Sequence, residues 1–485
     1  MKKYQWFLIA AVLIATFFLV YSIHFDDSFP KHGDEWHAIT EGIKLTENSF
    51  SISKMKVEAG FHIFLAALFI VFGKNLVWIY QFFPALWACL SSIALFFLVY
   101  RKTDKNFWIA LFAIIFFASI KSNSNIMGLW FFTPLSFAFP FIFLFIYFFT
   151  EGLEKENKKY ILTSLIIMIF LLPVHALSVL FAIPFLIIYS LFYFKFLKRE
   201  WKFFSSFILI PIIGLLFYKI IRDLTFSELF SKLLKSLQFK EGWGIVEIAI
   251  SPLLLYSLAG LIFAAIGVAY IIRSKSKKYL VFVLWPASIL ISIIIYFITG
   301  VSYLVPYQRN LYYFALSLPI LSAFGLYYVL KILQALKEGL NPSAKTEKSG
   351  KKQEMFYAII ICAIIFFFAF AGYWTMPDGI KPYTVLNQTD YDSLIFLSQF
   401  ENKSIIMANP ALSMAVYPIS GHEPVGGMMF YGNEEVVKKF FLTMNCTYRD
   451  KVLEKYNVSF VLVKSQPICN WTEIYNKGNY IYEIN

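Results

Sequence analysis

The sequence predicts a polytopic α-helical membrane protein that carries a C-terminal extracytoplasmic α/β domain. Three observations lead there. The 485-residue chain is 59% hydrophobic and only 15% charged, too little charge to cover a soluble globule. Apolar runs of about 20 residues recur, each long enough to cross a hydrocarbon core of roughly 30 Å. After Trp374 the pattern changes to short mixed helical and β-rich segments. The net charge of +13 does not point to nucleic acid, because the basic residues sit in short loops between apolar runs, as orientation by the positive-inside rule requires.

The first run, MKKYQWFLIAAVLIATFFLVYSIHF, is longer than a signal-peptide core and lacks a small-x-small cleavage site, so it reads as a retained span with Lys2 and Lys3 inside. The run at 59–73, AGFHIFLAALFIVFG, rises only about 22 Å as a helix. Reading it as a span would place Arg101, Lys102 and Lys105 outside; a segment lying in the outer interface removes that conflict. Spans follow at 76–100, 107–120 and 128–149. Residues 160–194 form a hairpin of two short helices with Pro173-Val174-His175 at its outer tip. Further spans are expected at 203–221, 251–272, 279–299, 310–330 and 355–374, which makes eleven. The outer loop 222–250 contains FSELFSKLLKSLQF, with apolar residues at helical spacing, suited to an interfacial helix or a lid.

The chain thus divides into a membrane domain, 1–374, with its first outer loop at 24–75, and a soluble α/β domain, 375–485. The expected setting is the plasma membrane, with the N-terminus cytoplasmic and the C-terminal domain outside. Glycosylation sequons offer an independent check, since Asn387, Asn402, Asn445, Asn457 and Asn470 all fall in the tail, on the side the charges place outside. In that tail DYDSLIFLSQF has helical spacing, while SIIMA and VSFVLV read as strands. Cys446 and Cys469 either pair in an oxidising exterior or stay as two free buried thiols. Cys89 and Cys362 fall within spans and read as packing residues.

The first outer loop holds the chemistry. HFDDSFPKHGDEWHAITEG, residues 24–42, gathers five carboxylates and three histidines. Asp34 and Glu35 open an amphipathic run, WHAITEGIKL, where the positive end of a helix dipole favours anions. A solvated capping pair would satisfy that pattern, and Asp26 and Asp27 have the same reading at the end of the first span. Beside a membrane-lying segment, however, such carboxylates face a sheltered cavity, where one can act as a general base. The chain has neither a Cys-x-x-Cys nor a His-Glu-x-x-His pattern, so nothing supports a dedicated metalloenzyme site.

GDEWHAITEGIKL after the first span, EAGFHIFLAALFIVFG, a span ending in basic residues, the LLPVHALSVL hairpin and a tail with KYNVSFVLV together resemble the GT-C superfamily of membrane glycosyltransferases. Protein O-mannosyltransferases, the lipid A aminoarabinose transferase and the catalytic oligosaccharyltransferase subunits share this layout. The resemblance covers most of the chain as an arrangement, and its specific motif is Asp34-Glu35. It implies a polyprenyl-phosphate-linked sugar donor, Asp34 as the catalytic acid with Glu35 beside it, and inversion in a single displacement. One departure matters: where many relatives carry another acid after the third span, this chain reads KSNSNIM, with Lys121, Asn123 and Asn125. A metal bridging two acidic loops is therefore not expected, and Asp26, Asp27 or Asp34 with water are the remaining candidate ligands.

Cations on the outer side would stabilise a departing phosphate. Arg309, at the start of the tenth span, has the planar fork that suits it, although an interfacial arginine also snorkels to headgroups. Lys121 and Arg222 are further outward cations. His175, His62 and His37 are candidate substrate contacts, each with a packing role as its plain alternative; His37 follows Asp34 by three positions and shares its helix face. The expected function is sugar transfer, hexosyl or pentosyl, from a polyprenyl-phosphate donor to a protein, lipid or glycan acceptor on the outer face. The alternative is a non-catalytic protein that binds or translocates polyprenyl lipid. An ion-coupled transporter fits poorly, because the spans are nearly free of the mid-membrane acids that coupling uses.

Overall fold

Long runs of Phe, Ile and Leu satisfy their backbone polar groups internally only as helices in lipid, and the membrane domain is built from them. The computed structural model describes residues 1–26, 28–47, 58–122, 128–240, 255–340, 385–427 and 432–484. In chain order the helices are α1 (Lys3–Tyr21), α2 (Gly33–Glu47), α3 (Ala59–Phe72), α4 (Leu76–Ile79), α5 (Phe83–Lys102), α6 (Phe107–Ala118), α7 (Pro134–Glu154) and α8 (Lys158–His175). Then come α9 (Leu177–Leu180), α10 (Ile183–Leu191), α11 (Phe194–Arg199), α12 (Trp201–Ile221), α13 (Phe226–Ser236), α14 (Leu258–Ser274), α15 (Leu280–Thr299) and α16 (Tyr307–Leu340). Among the described residues six stretches are long and apolar enough to cross a membrane: 3–24, 76–102, 134–154, 158–175, 277–299 and 307–336. The segment expected as the eleventh span, 355–374, lies outside the described residues, as does Cys362.

Two expected spans differ in detail. Helix α6 has only 12 residues, about 18 Å of rise, and is buried along its whole length between α1, α5 and α16. The Asn106 side chain starts it by accepting from the N–H groups of Trp108 and Ile109. The span expected from 128 begins at Pro134 instead. Proline at the first helical position and the Thr133 N–H bonded to Ser136 Oγ at 2.9 Å set that start, which frees residues 128–133 to reach α2. The hairpin forms as expected: α8 runs to His175, and the chain returns through α9 and α10 until Tyr189 meets Glu154 at the C-terminal end of α7.

One end of the bundle collects ion pairs. Lys102 on α5 lies 2.7 Å from Glu154 and 3.4 Å from Glu151, Lys158 pairs with Glu200 at 2.6 Å, and Lys278 meets Asp104. The C-terminal end of α1, the start of α2 and the hairpin tip lie at the other end. Helices α14 and α16 cross through glycines: a Cβ on Gly267 would stand 1.9 Å from the Leu321 carbonyl, and one on Gly325 1.9 Å from that of Phe263.

The C-terminal domain has α17 (Gln388–Leu397), α18 (Ser413–Ser420), α19 (Glu434–Leu442) and α20 (Cys446–Lys455). A short ribbon in the membrane domain pairs β1 (Gln238–Lys240) with β2 (Val301–Tyr303). The domain itself holds β3 (Ile405–Met407), β4 (Glu423–Pro424), β5 (Phe460–Val463), β6 (Thr472–Asn476) and β7 (Tyr480–Glu483), ordered β4-β3-β5-β7-β6. SIIMA and VSFVLV supply the parallel central pair β3 and β5. Cys446 and Cys469 form a disulfide, which settles the alternative the sequence left open. The Cys89 thiol donates to the Leu13 carbonyl. All five sequon asparagines are exposed, and Asn387 and Asn445 cap α17 and α20 through their side-chain oxygens.

The domain is fastened to α2. Trp36, Ile39 and Ile43 share one apolar core with Leu394, Met414 and Ile481. Lys44 pairs with Glu423 at 2.9 Å, and Glu47 accepts from Lys403 and Tyr417. Helix α2 is therefore held between α3 and the C-terminal domain.

Candidate functional site

Asp34 and Glu35 are neighbours in sequence with opposite surroundings. Glu35 is buried, and its carboxylate accepts three backbone N–H groups: Lys31 at 2.9 Å, His32 at 3.0 Å and Phe132 at 2.7 Å. The carbonyl of Phe132 in turn accepts from the Tyr80 hydroxyl. Glu35 thus closes the start of α2 onto the loop before α7, and its oxygens are spoken for. Burial pushes its pKa up to about 7, against the three N–H donors, which favour the charged form.

Asp34 faces the other way. Its backbone N–H donates to His32 Nδ1 at 3.1 Å. Its Oδ1 lies 3.8 Å from the same nitrogen and, among the described residues, is buried without a hydrogen-bond partner. A buried carboxylate oxygen left unmatched costs free energy.

A residue the sequence reading passed over completes the acidic pair. Glu58 immediately precedes α3, in left-handed backbone (φ 67°), a conformation that costs a non-glycine residue about 1 kcal/mol. Its carbonyl accepts the N–H groups of Phe61 and His62. Its carboxylate lies 3.7 Å from His175 Nε2. Although about a third of the side chain reaches solvent, burial pushes the carboxyl up to about 7, with Arg309 pulling it down and Asp34 pushing it further up. The signal was present as an acid at the head of a short apolar helix, followed by Ala-Gly. Gly60 explains the placement, since a Cβ there would sit 2.9 Å from Val174 Cγ2, so only glycine lets α3 approach the hairpin tip so closely.

His175 is buried and anchored. Its Nδ1 lies 2.7 Å from Ser178 Oγ and 3.2 Å from the Tyr313 hydroxyl, which leaves Nε2 directed at Glu58. Arg309 sits in the first turn of α16, half-buried. Asn310 fixes that turn by donating to Ser292 Oγ, Ser302 Oγ and the Val305 carbonyl. His37 and His62 meet across α2 and α3 with ring centroids 6.1 Å apart.

Glu58 and His175 thus meet at the hairpin end of the bundle, where the charge of Arg309 reaches both of them and that of Asp34 reaches Glu58. The other predicted cations stand at the ends of helices. Lys121 donates its backbone N–H to the Leu255 carbonyl at 2.9 Å, and its half-burial lowers its pKa. Arg222 is exposed at the end of α12. Asp26 is exposed at the end of the first span, and Asp27, Asn123 and Asn125 lie outside the described residues. Among the described residues no three His, Cys, Asp or Glu side chains gather as a metal site.

No protein-family model matches the chain, and no curated protein matches it in sequence. Solved structures do match. The Archaeoglobus fulgidus oligosaccharyltransferase tethered to an acceptor peptide with an NVT sequon superposes with a TM-score of 0.57 at 14% identity, covering 96% of this chain and 69% of that one. The same organism's AglB, in complex with an inhibitory peptide and a dolichol-phosphate, gives 0.54 at 14% identity, over 95% and 69%. ArnT from Cupriavidus metallidurans bound to undecaprenyl phosphate gives 0.56 at 10% identity, over 99% and 98%. The likeness extends through both the membrane helices and the C-terminal domain, and the chain has the fold of the GT-C membrane glycosyltransferases.

Proposed function

We propose that the protein transfers a sugar, hexosyl or pentosyl, from a polyprenyl-phosphate donor to a protein, lipid or glycan acceptor, with inversion, on the extracytoplasmic face of the plasma membrane. The N-terminus would then be cytoplasmic and the C-terminal domain outside. The observation that carries this reading is the buried Oδ1 of Asp34, which has no hydrogen-bond partner among the described residues, near a Glu58 carboxyl that feels the charges of both Asp34 and Arg309. Asp34 takes the acceptor proton as the acceptor attacks the anomeric carbon, and the sugar–phosphate bond breaks on the opposite face. Arg309 holds the departing phosphate, its fork matched to two oxygens. Glu35 acts as a positioning residue: three backbone donors occupy its oxygens, and it fixes the start of α2, and so Asp34, against the loop at Phe132. The C-terminal domain, sharing its core with α2, limits water as a competing nucleophile. Support for a lipid-phosphate donor comes from the fold and from the undecaprenyl phosphate and dolichol-phosphate held by its structural neighbours.

The test is transfer from a panel of radiolabelled polyprenyl-phosphate sugars in membranes holding wild type or Asp34→Asn, with donor binding followed in parallel. Transfer abolished with binding retained is the expected result. Equal transfer by both proteins would remove Asp34 as the base. Binding without transfer by either would favour a lipid-handling protein.

A further inference from the structure

At the end of the bundle opposite Asp34, helices α1 and α5 part around a cleft of about 470 Å³. Trp6 and Leu13 of α1 and Ile93 and Phe97 of α5 wall it, and Ile114 of α6 forms its floor. One charged side chain, Arg101, lines it. We propose that this cleft binds one anionic glycerophospholipid, with a hydrocarbon chain between α1 and α5 and the phosphate on Arg101. The proposal is independent of the glycosyltransferase reading.

The acids nearest the cleft are engaged by another cation. Glu151 and Glu154 both turn to the buried Lys102. The Arg101 guanidinium instead lies over the Phe97 ring, 5.5 Å from its centroid, and beside the Tyr147 hydroxyl. It keeps an exposed cation at the cleft. Lys2 and Lys3 stand at the start of α1, whose first turn carries no acid. A cleft walled by hydrocarbon and closed by positive charge complements a lipid anion and no soluble one, because the walls reward only a chain. Trp6, 61% exposed beside the cleft, is the type of aromatic residue that sits at headgroup level. The position also separates this cleft from the donor site: α5 ends here, whereas α1 runs from here towards the loop that holds Asp34.

The test uses the full chain in phosphatidylcholine vesicles doped with brominated phosphatidylglycerol or brominated phosphatidylcholine. Quenching of Trp6 is read as the difference between wild type and Trp6→Phe. The expected result is half-maximal quenching at an about fivefold lower mole fraction of the anionic lipid, the effect of one interfacial cation, and loss of that preference in Arg101→Gln. Ala10→Leu, which fills the cleft and leaves Arg101 in place, is expected to weaken quenching by both lipids. Equal quenching of wild type by the two lipids would overturn the proposal, as would an anionic preference that survives Arg101→Gln in a protein that still elutes as a folded species.

Discussion

Glu58 Oε1 and His175 Nε2 stand 3.7 Å apart, although 117 residues separate them in sequence. The pair joins the start of α3 to the hairpin tip, and Gly60 makes the approach sterically feasible. With His175 Nδ1 engaged by Ser178 and Tyr313, the proton balance of the pair rests with Glu58. Its carboxyl titrates near 7, so raising the pH through that value adds a negative charge beside Asp34 and Arg309. That charge opposes an incoming lipid phosphate. We expect kcat/KM for the donor to fall as pH rises from 6 to 8 in wild type and to be flat over that range in Glu58→Gln. A rate that rises through pH 7 and loses that rise in Glu58→Gln would instead make Glu58 the base.

Arg309 lowers the Glu58 carboxyl, so the two residues are linked in a second measurable way. Arg309→Ala should cost about a hundredfold in kcat if the guanidinium stabilises the leaving phosphate. It should also move the Glu58-dependent pH inflection above 7, because the cation that pulls it down is gone. Arg309→Lys keeps the charge without the fork and should leave the inflection near its wild-type position while recovering only part of kcat. An inflection unmoved in Arg309→Ala would show that the two groups do not face one another.

Much of the site could be read in the sequence, and what could not has a physical cause. The Asp34-Glu35 dipeptide, the short apolar run of α3, the hairpin tip at His175 and the cation at Arg309 are local signals of composition and charge. The division of labour between Asp34 and Glu35 is not local. It depends on Phe132, 97 residues downstream, reaching Glu35 with its N–H, and that contact exists only because α7 starts at Pro134 rather than at 128. Glu58 was hidden for the same reason, since an acid before an apolar helix acquires meaning only when Gly60 brings it to His175. The long second span, 76–102, emerged close to its expected bounds, whereas α6 proved a short, enclosed helix that hydropathy alone does not distinguish from a spanning one.

Glu35→Gln tests the positioning role. The amide offers one acceptor where the carboxylate offers two, so an NH2 must face at least one backbone N–H, at about 1–3 kcal/mol. The pH dependence has a definite sign. The folded carboxyl lies near 7 against an ordinary 4.5, so the fold favours the protonated form. Its contribution to stability is present in full below about 4.5 and is lost as pH rises through 7, a change of about 3 kcal/mol. Thermal unfolding in detergent should show wild type losing stability across that window and Glu35→Gln losing less. Transfer activity should fall with little change in its pH profile, the mark of a residue that acts through Asp34.

The crossing of α14 and α16 carries the last prediction. Gly267 and Gly325 face each other so closely that the two helices approach backbone to backbone, the arrangement small residues permit in membranes where lipid supplies no hydrophobic drive between helices. A methyl group at either position meets a carbonyl oxygen on the facing helix, which cannot yield as a flexible side chain would. Gly267→Ala or Gly325→Ala should therefore force the helices apart and destabilise the fold by about 3 kcal/mol. Gly214 on α12 provides the control, because nothing among the described residues lies within 4 Å of a Cβ there, and Gly214→Ala should hold or slightly raise stability. The double variant Gly267→Ala/Gly325→Ala should cost less than the sum of the singles, because one separation accommodates both methyl groups. Additive costs in melting experiments would mean that the two glycines sit in independent environments.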